Sequence, residues 1–255
     1  MRPIYYRKML LRVAETWYQE PEQNASADVF RCLQTPTAID GAWCDPFTTL
    51  VIDLSAEGDA ILARMDKNTR YEIRRAEERD GVRYAPVPIQ QLADLQAFLD
   101  DYVSHAASGN RALRPNVAKL SQLIQRGYLD LSAVLDPKGQ VLTWHVYVLI
   151  NGTARLLYSV APAPQSEDSE YRNLRGRANR LHHWLDILRF KQAGYSRYDF
   201  GGIYTGSSDV KRLNINKFKR GFGGEVVNAY NCLYPGTLKG RVTLATMRFL
   251  KNRTR

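Results

Sequence analysis

Residues 194–224 read GYSRYDFGGIYTGSSDVKRLNINKFKRGFGG, and the order of the pieces in this stretch decides the fold. Residues 195–200 have the make-up of a buried strand, stopped by Gly201-Gly202. A loop of small and polar residues comes next over 203–209, then a basic segment with Lys211, Arg212, Lys217, Phe218, Lys219 and Arg220, closed by Gly221-Phe222-Gly223-Gly224. Paired glycines at a strand end let a backbone approach a ligand closely. A lysine and arginine cluster just beyond offers charge to an anion or a developing oxyanion. Taken singly, the pieces are a strand, a turn and a solvated basic helix; taken in order, they set a strand end beside a cationic helix.

Working outward, 255 residues can bury one full core or two small ones. A hydrophobic fraction of 44% with 24% charged residues is that of a globular chain, and no apolar run is long enough for a bilayer. The start, MRPIYYRKMLLRVAETWYQEP, has no sustained apolar core and no small-residue cleavage site, so no signal peptide and a cytoplasmic location are expected. Cys32, Cys44 and Cys232 are odd in number and lack metal-ligand spacing, which leads us to expect free thiols. The net charge of +10 is unevenly placed: residues 171–220 hold 12 Lys/Arg against 3 Asp/Glu, and the rest of the chain nearly balances. That excess is either a solvated basic face or the footprint of a polyanionic partner.

Along the chain, residues 1–47 mix signals. Residues 5–17 suit a strand running into a helix, and Pro21, Pro36, Gly41 and Pro46 interrupt the remainder, so the region is expected to be an irregular extension. Residues 47–54 read as a strand, with Ser55 capping a short helix; Asn68 caps another over 69–80, on which Arg70 and Arg74 stand one turn apart. Arg74 and Glu78 have the spacing of an ion pair, and a surface ladder is the plain reading of these arginines. Helices over 89–104 and 116–126 flank a loop at 107–115. Three strands, 129–135, 141–150 and 153–160, are joined by Asp136-Pro137-Lys138-Gly139 and by the hairpin turn Asn151-Gly152, giving an antiparallel meander expected at the centre of a sheet. His145 reads as a satisfied sheet residue. A polar loop leads to a long helix over 171–193, on which His182 and His183 are expected at the rim. A last strand at 225–233 and a basic helix at 237–253 end the chain; that helix either docks on the domain or touches a membrane surface or RNA.

Asp199-Phe200-Gly201-Gly202 followed by Lys217-Phe218-Lys219-Arg220-Gly221-Phe222-Gly223-Gly224 resembles the closing motif of the Fem-type aminoacyl transferases, of the GNAT acyltransferase superfamily. Asp53-Leu54-Ser55 and the helix Asn68-Thr69-Arg70-Tyr71-Glu72-Ile73-Arg74-Arg75-Ala76-Glu77 agree with that family's earlier motif, so the resemblance spans roughly residues 48–231. It implies an α/β fold: one GNAT-like domain over 48–235, its mixed, mostly antiparallel sheet flanked by helices, with the extension 1–47 before it and the basic helix 236–255 after it. Fem-type enzymes usually carry two such domains, and this chain has room for one. The resemblance places Phe218 and Lys219 at the reacting centre, with Lys219 offsetting charge on the tetrahedral intermediate or the tRNA end. Asp199 becomes an orienter or weak base at the strand end, while Arg70, Arg74, Gly201, Gly202, Lys217 and Arg220 become donor contacts. GNAT enzymes also hold coenzyme A pyrophosphate on a strand-to-helix turn of pattern Q/R-x-x-G-x-G/A; Asn173, Gly176 and Ala178 match all but its first position.

Three functions are open on this reading. The first is transfer of an aminoacyl group from aminoacyl-tRNA to an amine on a peptidoglycan precursor or small metabolite. The second is acyl transfer from acyl-CoA to an amine, resting on Asn173 and Gly176. The third is a non-catalytic RNA- or anion-binding module. With no nucleophile elbow, metal-ligand cluster or Walker loop, direct attack by an amine on an activated carbonyl is the simplest chemistry, and no metal or cofactor is expected. Acceptor-binding loops are expected at 106–115 and 203–210.

Overall fold

Ten strands join in one sheet among residues 2–20, 26–108, 115–163 and 168–253, the residues that the computed structural model describes. Chain order gives β1 (Ile4–Lys8), β2 (Leu11–Trp17), β3 (Val29–Thr35), β4 (Trp43–Asp53), α1 (Gly58–Ala63), α2 (Lys67–Arg79), β5 (Arg83–Val87), α3 (Gln96–Ser108) and α4 (Val117–Gln125). It continues with β6 (Leu129–Leu135), β7 (Val141–Ile150), β8 (Thr153–Val160), α5 (Ser169–Gln192), β9 (Arg197–Gly202), α6 (Val210–Arg220), β10 (Glu225–Pro235) and α7 (Leu238–Arg253). The spatial order is β1-β2-β3-β10-β4-β9-β8-β7-β6-β5. Only β2–β3 and β8–β9 pair in parallel; the other neighbours are antiparallel. The fold is therefore α/β with a mixed, mostly antiparallel sheet, as the sequence implies.

Strand alternation divides the core. On β7, Trp144, Val146, Val148 and Ile150 face a layer made with Phe98 of α3 and Leu120 and Leu123 of α4. Tyr147 faces the opposite layer, where Leu181, Trp184, Ile187 and Phe190 of α5 pack with Ile73 of α2, Leu50 and Ile52 of β4, and Tyr198 and Phe200 of β9. Ion pairs tie α2 to α5: Arg177 to Asp80 at 2.6 Å and Arg180 to Glu72 at 2.8 Å.

Four expectations are corrected here. The described residues among the opening 47 are not an irregular extension: β1 and β2 form a hairpin, β3 runs beside β2, and this unit continues the main sheet through the pairing of β3 with β10. Short strands with mixed faces hid this, because β2 and β3 are buried over most of their length and lack period-two alternation. The meander β6-β7-β8 lies toward one end of the sheet, since β10, β4 and β9 occupy its middle. His182 and His183 are wholly buried, because α5 lies across the sheet rather than along its edge. Cys44 and Cys232 are disulfide-bonded; they are directly opposed on β4 and β10 across a separation of 188 residues, which spacing alone does not reveal. Cys32, opposite Cys232 on β3, is the free and buried thiol. Among the described residues, no helix is long and apolar enough to cross a membrane.

Candidate active site

The parallel pair β8–β9 holds register only at Thr153–Arg197, Ala154–Tyr198 and Arg155–Asp199. Beyond these positions the strands part, and a cavity of about 780 Å³ opens between them, with Leu156 and Ser159 on one wall and Phe200 on the other. Asn179 and His183 of α5 and one face of α6 complete it. The helical period selects that face: Lys211, Asn214, Ile215, Phe218 and Lys219 line the cavity. Lys217 and Arg220 turn away, to a shallower hollow with Tyr204 and Asp66.

Local bonds fix α6 in this position. Asp209 caps it by accepting from Arg212 N at 3.0 Å. The buried Asn216 amide holds the preceding loop, accepting from Tyr204 N at 3.0 Å and donating to Tyr204 O at 2.7 Å. After α6 the chain passes against the α1–α2 junction, where Asp66 N donates to Gly221 O. Gly223 has φ +74°, and a Cβ there would collide with Arg64 O, so only glycine fits.

Lys219 sits where β9 loses its partner. Its Nζ donates to Phe200 O at 2.9 Å and Gly202 O at 2.7 Å and lies 3.4 Å from Gly201 O. Burial lowers its pKa to about 8, although the Asp199 carboxylate favours the charged form. The ammonium is thus held by the strand-end carbonyls on the cavity wall. Phe218 packs against His183 and Phe222, with the Arg180 guanidinium 4.9 Å over its ring.

Asp199 points to the other face of β9. It accepts from Thr49 Oγ1 at 2.5 Å, Gln34 Nε2 at 2.7 Å, Gly201 N at 2.7 Å and Tyr18 OH at 3.2 Å. Arg155 Nε reaches the same Gln34 side chain at 2.5 Å. Four donors leave this carboxylate suited to orienting its neighbours rather than acting as a free base. Tyr18 and Gln34 hold φ values of +63° and +56°, costly for non-glycine residues and often found at functional sites. Together with Thr49 and Asp199 they line a second cavity of about 810 Å³. β9 separates the two cavities, with Phe200 in one and Asp199 in the other.

The profile described as an acetyltransferase (GNAT) domain matches residues 63–219. The chain belongs to the GNAT acetyltransferase family. It is an acyltransferase, whose chemistry needs an acyl donor and an amine acceptor. No curated protein matches it by sequence. Its structure is similar to that of FemX (TM-score 0.64, 11% identity, covering 90% of this chain and 83% of that one). The C-terminal domain of a candidate lysylphosphatidylglycerol synthetase from Agrobacterium fabrum is also similar (0.59, 14%, 96% and 83%). So is L-PGS from Bacillus licheniformis (0.51, 11%, 89% and 74%). At these identities the likeness is one of fold.

Between the two cavities, the residues named from sequence divide. Phe218, Lys219 and Asp199 meet around β9. Gly201 and Gly202 are there too, but for local reasons: Gly201 has φ +72°, and Gly202 has the Phe47 ring 3.3 Å from where a Cβ would stand. Arg70 is not brought to either cavity. Its Nη1 donates to Ala63 O at 3.2 Å and to Met65 O, holding the α1–α2 turn. Arg74 is exposed, and neither Glu78 nor any other described carboxylate pairs with it. Ile73 is the residue of that motif which enters the core. Asn173 and Gly176 lie inside α5, whose N-terminus is capped earlier by Asp168. Backbone N–H groups at 173–178 belong to the helix ladder, so the anion-binding turn that their pattern describes is not formed there. Residues 109–114 of the expected acceptor loop lie outside the described residues.

Sequence reasoning missed His183, Asn179, Tyr18, Gln34 and Arg155. The last three act through strand pairing across more than 100 residues, for which the sequence carries no local signal. A second cluster, His145, His182 and Asp186, brings potential metal ligand atoms within 4.8 Å of one another. Every ring nitrogen there is already engaged: His145 by Asp186 and Asn179, His182 by Ser132 and Thr143. The two rings stack at 3.6 Å and 8°, so their lone pairs do not converge as ligands of one ion would. The cluster is a buried hydrogen-bond network.

Proposed function

We propose that this enzyme moves an aminoacyl group from aminoacyl-tRNA to an amine acceptor and forms an amide bond. The observation that carries the reading is the split between β8 and β9, walled by Phe218 and Lys219. A carbonyl lying along the parted strand meets a fixed cation, which stabilises a developing oxyanion. Basic side chains with no carboxylate partner among the described residues gather nearby: Lys211 at the cavity, Lys217 and Arg220 on the adjoining face of α6. That distribution suits a long polyanion better than a single pyrophosphate. The acyl-CoA alternative loses its specific support, since Asn173 and Gly176 are interior to α5. Membrane contact by α7 is a further proposal consistent with exposed Leu238, Val242 and Phe249.

The test is incubation with a pool of labelled aminoacyl-tRNAs and an extract of amine-bearing metabolites. Label should move into a tRNA-free, base-stable product, and binding of charged tRNA should weaken steeply with salt. Thermal stabilisation by coenzyme A without any effect of charged tRNA would overturn the donor assignment.

A further inference from the structure

Hydrogen-bond directions can be traced outward from the buried Asp186 of α5. Burial disfavours its charge, but His182, His145 and Arg189 outweigh that and hold the carboxyl well below the usual carboxylate range. An ionised carboxylate only accepts. Tyr147 OH therefore donates to Asp186 Oδ2, at 2.7 Å. The Tyr147 oxygen is left to accept from Tyr198 OH, at 2.7 Å. The Tyr198 oxygen, its own hydrogen engaged, accepts from His183 Nδ1 at 2.6 Å. A neutral imidazole with its proton on Nδ1 carries its lone pair on Nε2. His183 lines the cavity between β8 and β9, and its Nε2 has no hydrogen-bond partner among the described residues.

We propose that His183 is the general base of the acyl transfer, held in its active tautomer by the relay Tyr198–Tyr147–Asp186. The assignment rests on the reading of the split as the donor site. As the amine nitrogen bonds to the acyl carbon, one N–H proton passes to Nε2. As the bond from that carbon to the donor oxygen breaks, the same proton passes to the departing oxygen. One ester and one amine become one amide and one alcohol, and His183 returns to its starting state. The charged and titratable groups around the ring are His145 of β7, His182 and Asp186 of α5, Tyr198 of β9 and Lys219 of α6. Burial first, then His145, His182 and Lys219, push the imidazole well below its usual pKa, while Asp186 opposes them. The ring is then unprotonated at neutral pH, as a base must be.

Two measurements on the full chain test this. In the first, ¹⁵N-histidine labelling should show His183 neutral at pH 7 with its proton on Nδ1, a state that Tyr198→Phe disturbs. A proton on Nε2, or an imidazolium at pH 7, overturns the assignment even if the enzyme transfers aminoacyl groups. In the second, single-turnover transfer from aminoacyl-tRNA to hydroxylamine, largely unprotonated at neutral pH, is measured. His183→Ala should lose on the order of 100-fold at saturating donor with donor affinity held, and added imidazole should restore part of the rate. Tyr198→Phe, which keeps the packed ring, should lose about 10-fold. A loss in His183→Ala that imidazole does not restore, or that lies in donor affinity, means that His183 supports the fold and is not the base. No transfer by the wild type to hydroxylamine overturns the donor reading, and the base assignment with it.

Discussion

Helices α2 and α6 both carry evenly spaced basic residues, and both belong to the motifs that resemble Fem-type transferases, yet they use their charges differently. On α2, Arg70 is committed to backbone carbonyls of its own turn, and Arg74 stands free in solvent. On α6, Lys219 reaches the open end of a strand and Phe218 walls a cavity. The difference lies in what each helix covers. α2 rests on α5 through Glu72 and Asp80, so its inward face is full. α6 spans a place where two strands have separated, so its inward face meets empty space. A spacing of basic residues predicts a shared face; only the neighbouring backbone decides whether that face has a ligand to bind.

The widest separation between the two helices should appear in turnover. Lys219→Met is expected to lower the rate at saturating donor on the order of 100-fold or more, with donor affinity nearly unchanged. Lys219→Arg should restore only part, because a planar guanidinium cannot occupy the same point among three carbonyls. If affinity falls and saturated turnover persists, Lys219 holds donor phosphate instead.

The same lysine should set a pH limit. With its pKa at about 8, the ammonium is lost as pH rises through that value, and the rate should decline on the alkaline side. In Lys219→Arg the decline should move up by about 2 units or more, because arginine stays charged. An alkaline limb at the same pH in both proteins would assign it to another group.

On α2 the effects should be ones of stability. Arg70→Ala is expected to cost about 1 kcal/mol, a few degrees of Tm in a chain of this size, with kinetic constants unchanged. Arg74→Ala should change stability by less than about 0.5 kcal/mol and leave turnover alone. Loss of donor affinity in Arg74→Ala, measured by filter binding of charged tRNA, would erase the contrast between the helices.

A strand end beside a cationic helix was legible in the sequence for α6, and the commitment of Arg70 to its own turn on α2 was not. Gly201-Gly202 marked the end of β9, and the Phe218-Lys219 pair was placed at the reacting centre through its resemblance to a known motif. The sheet class came through the same resemblance, and the meander came from periodicity and from Asn151-Gly152. What stayed hidden was everything set by partners remote in sequence. Tyr18 and Gln34 reach Asp199 from strands whose buried, non-alternating residues looked irregular. His183 reads as a surface histidine until α5 is laid across β7 and β9, where Tyr198 and Tyr147 engage it. The Cys44–Cys232 bond likewise depends on a register that no local pattern encodes.

That the parted strands β8 and β9 receive the acyl donor is tested most directly by a crystal structure with a non-hydrolysable aminoacyl-amide analogue of the tRNA 3′ end. The acyl carbon should lie between Leu156 and Phe200, within reach of Lys219 Nζ and His183 Nε2, with the nucleotides leading out past Lys211. An analogue seated on α2, or in the cavity lined by Tyr18 and Gln34 with the split left empty, would contradict this placement.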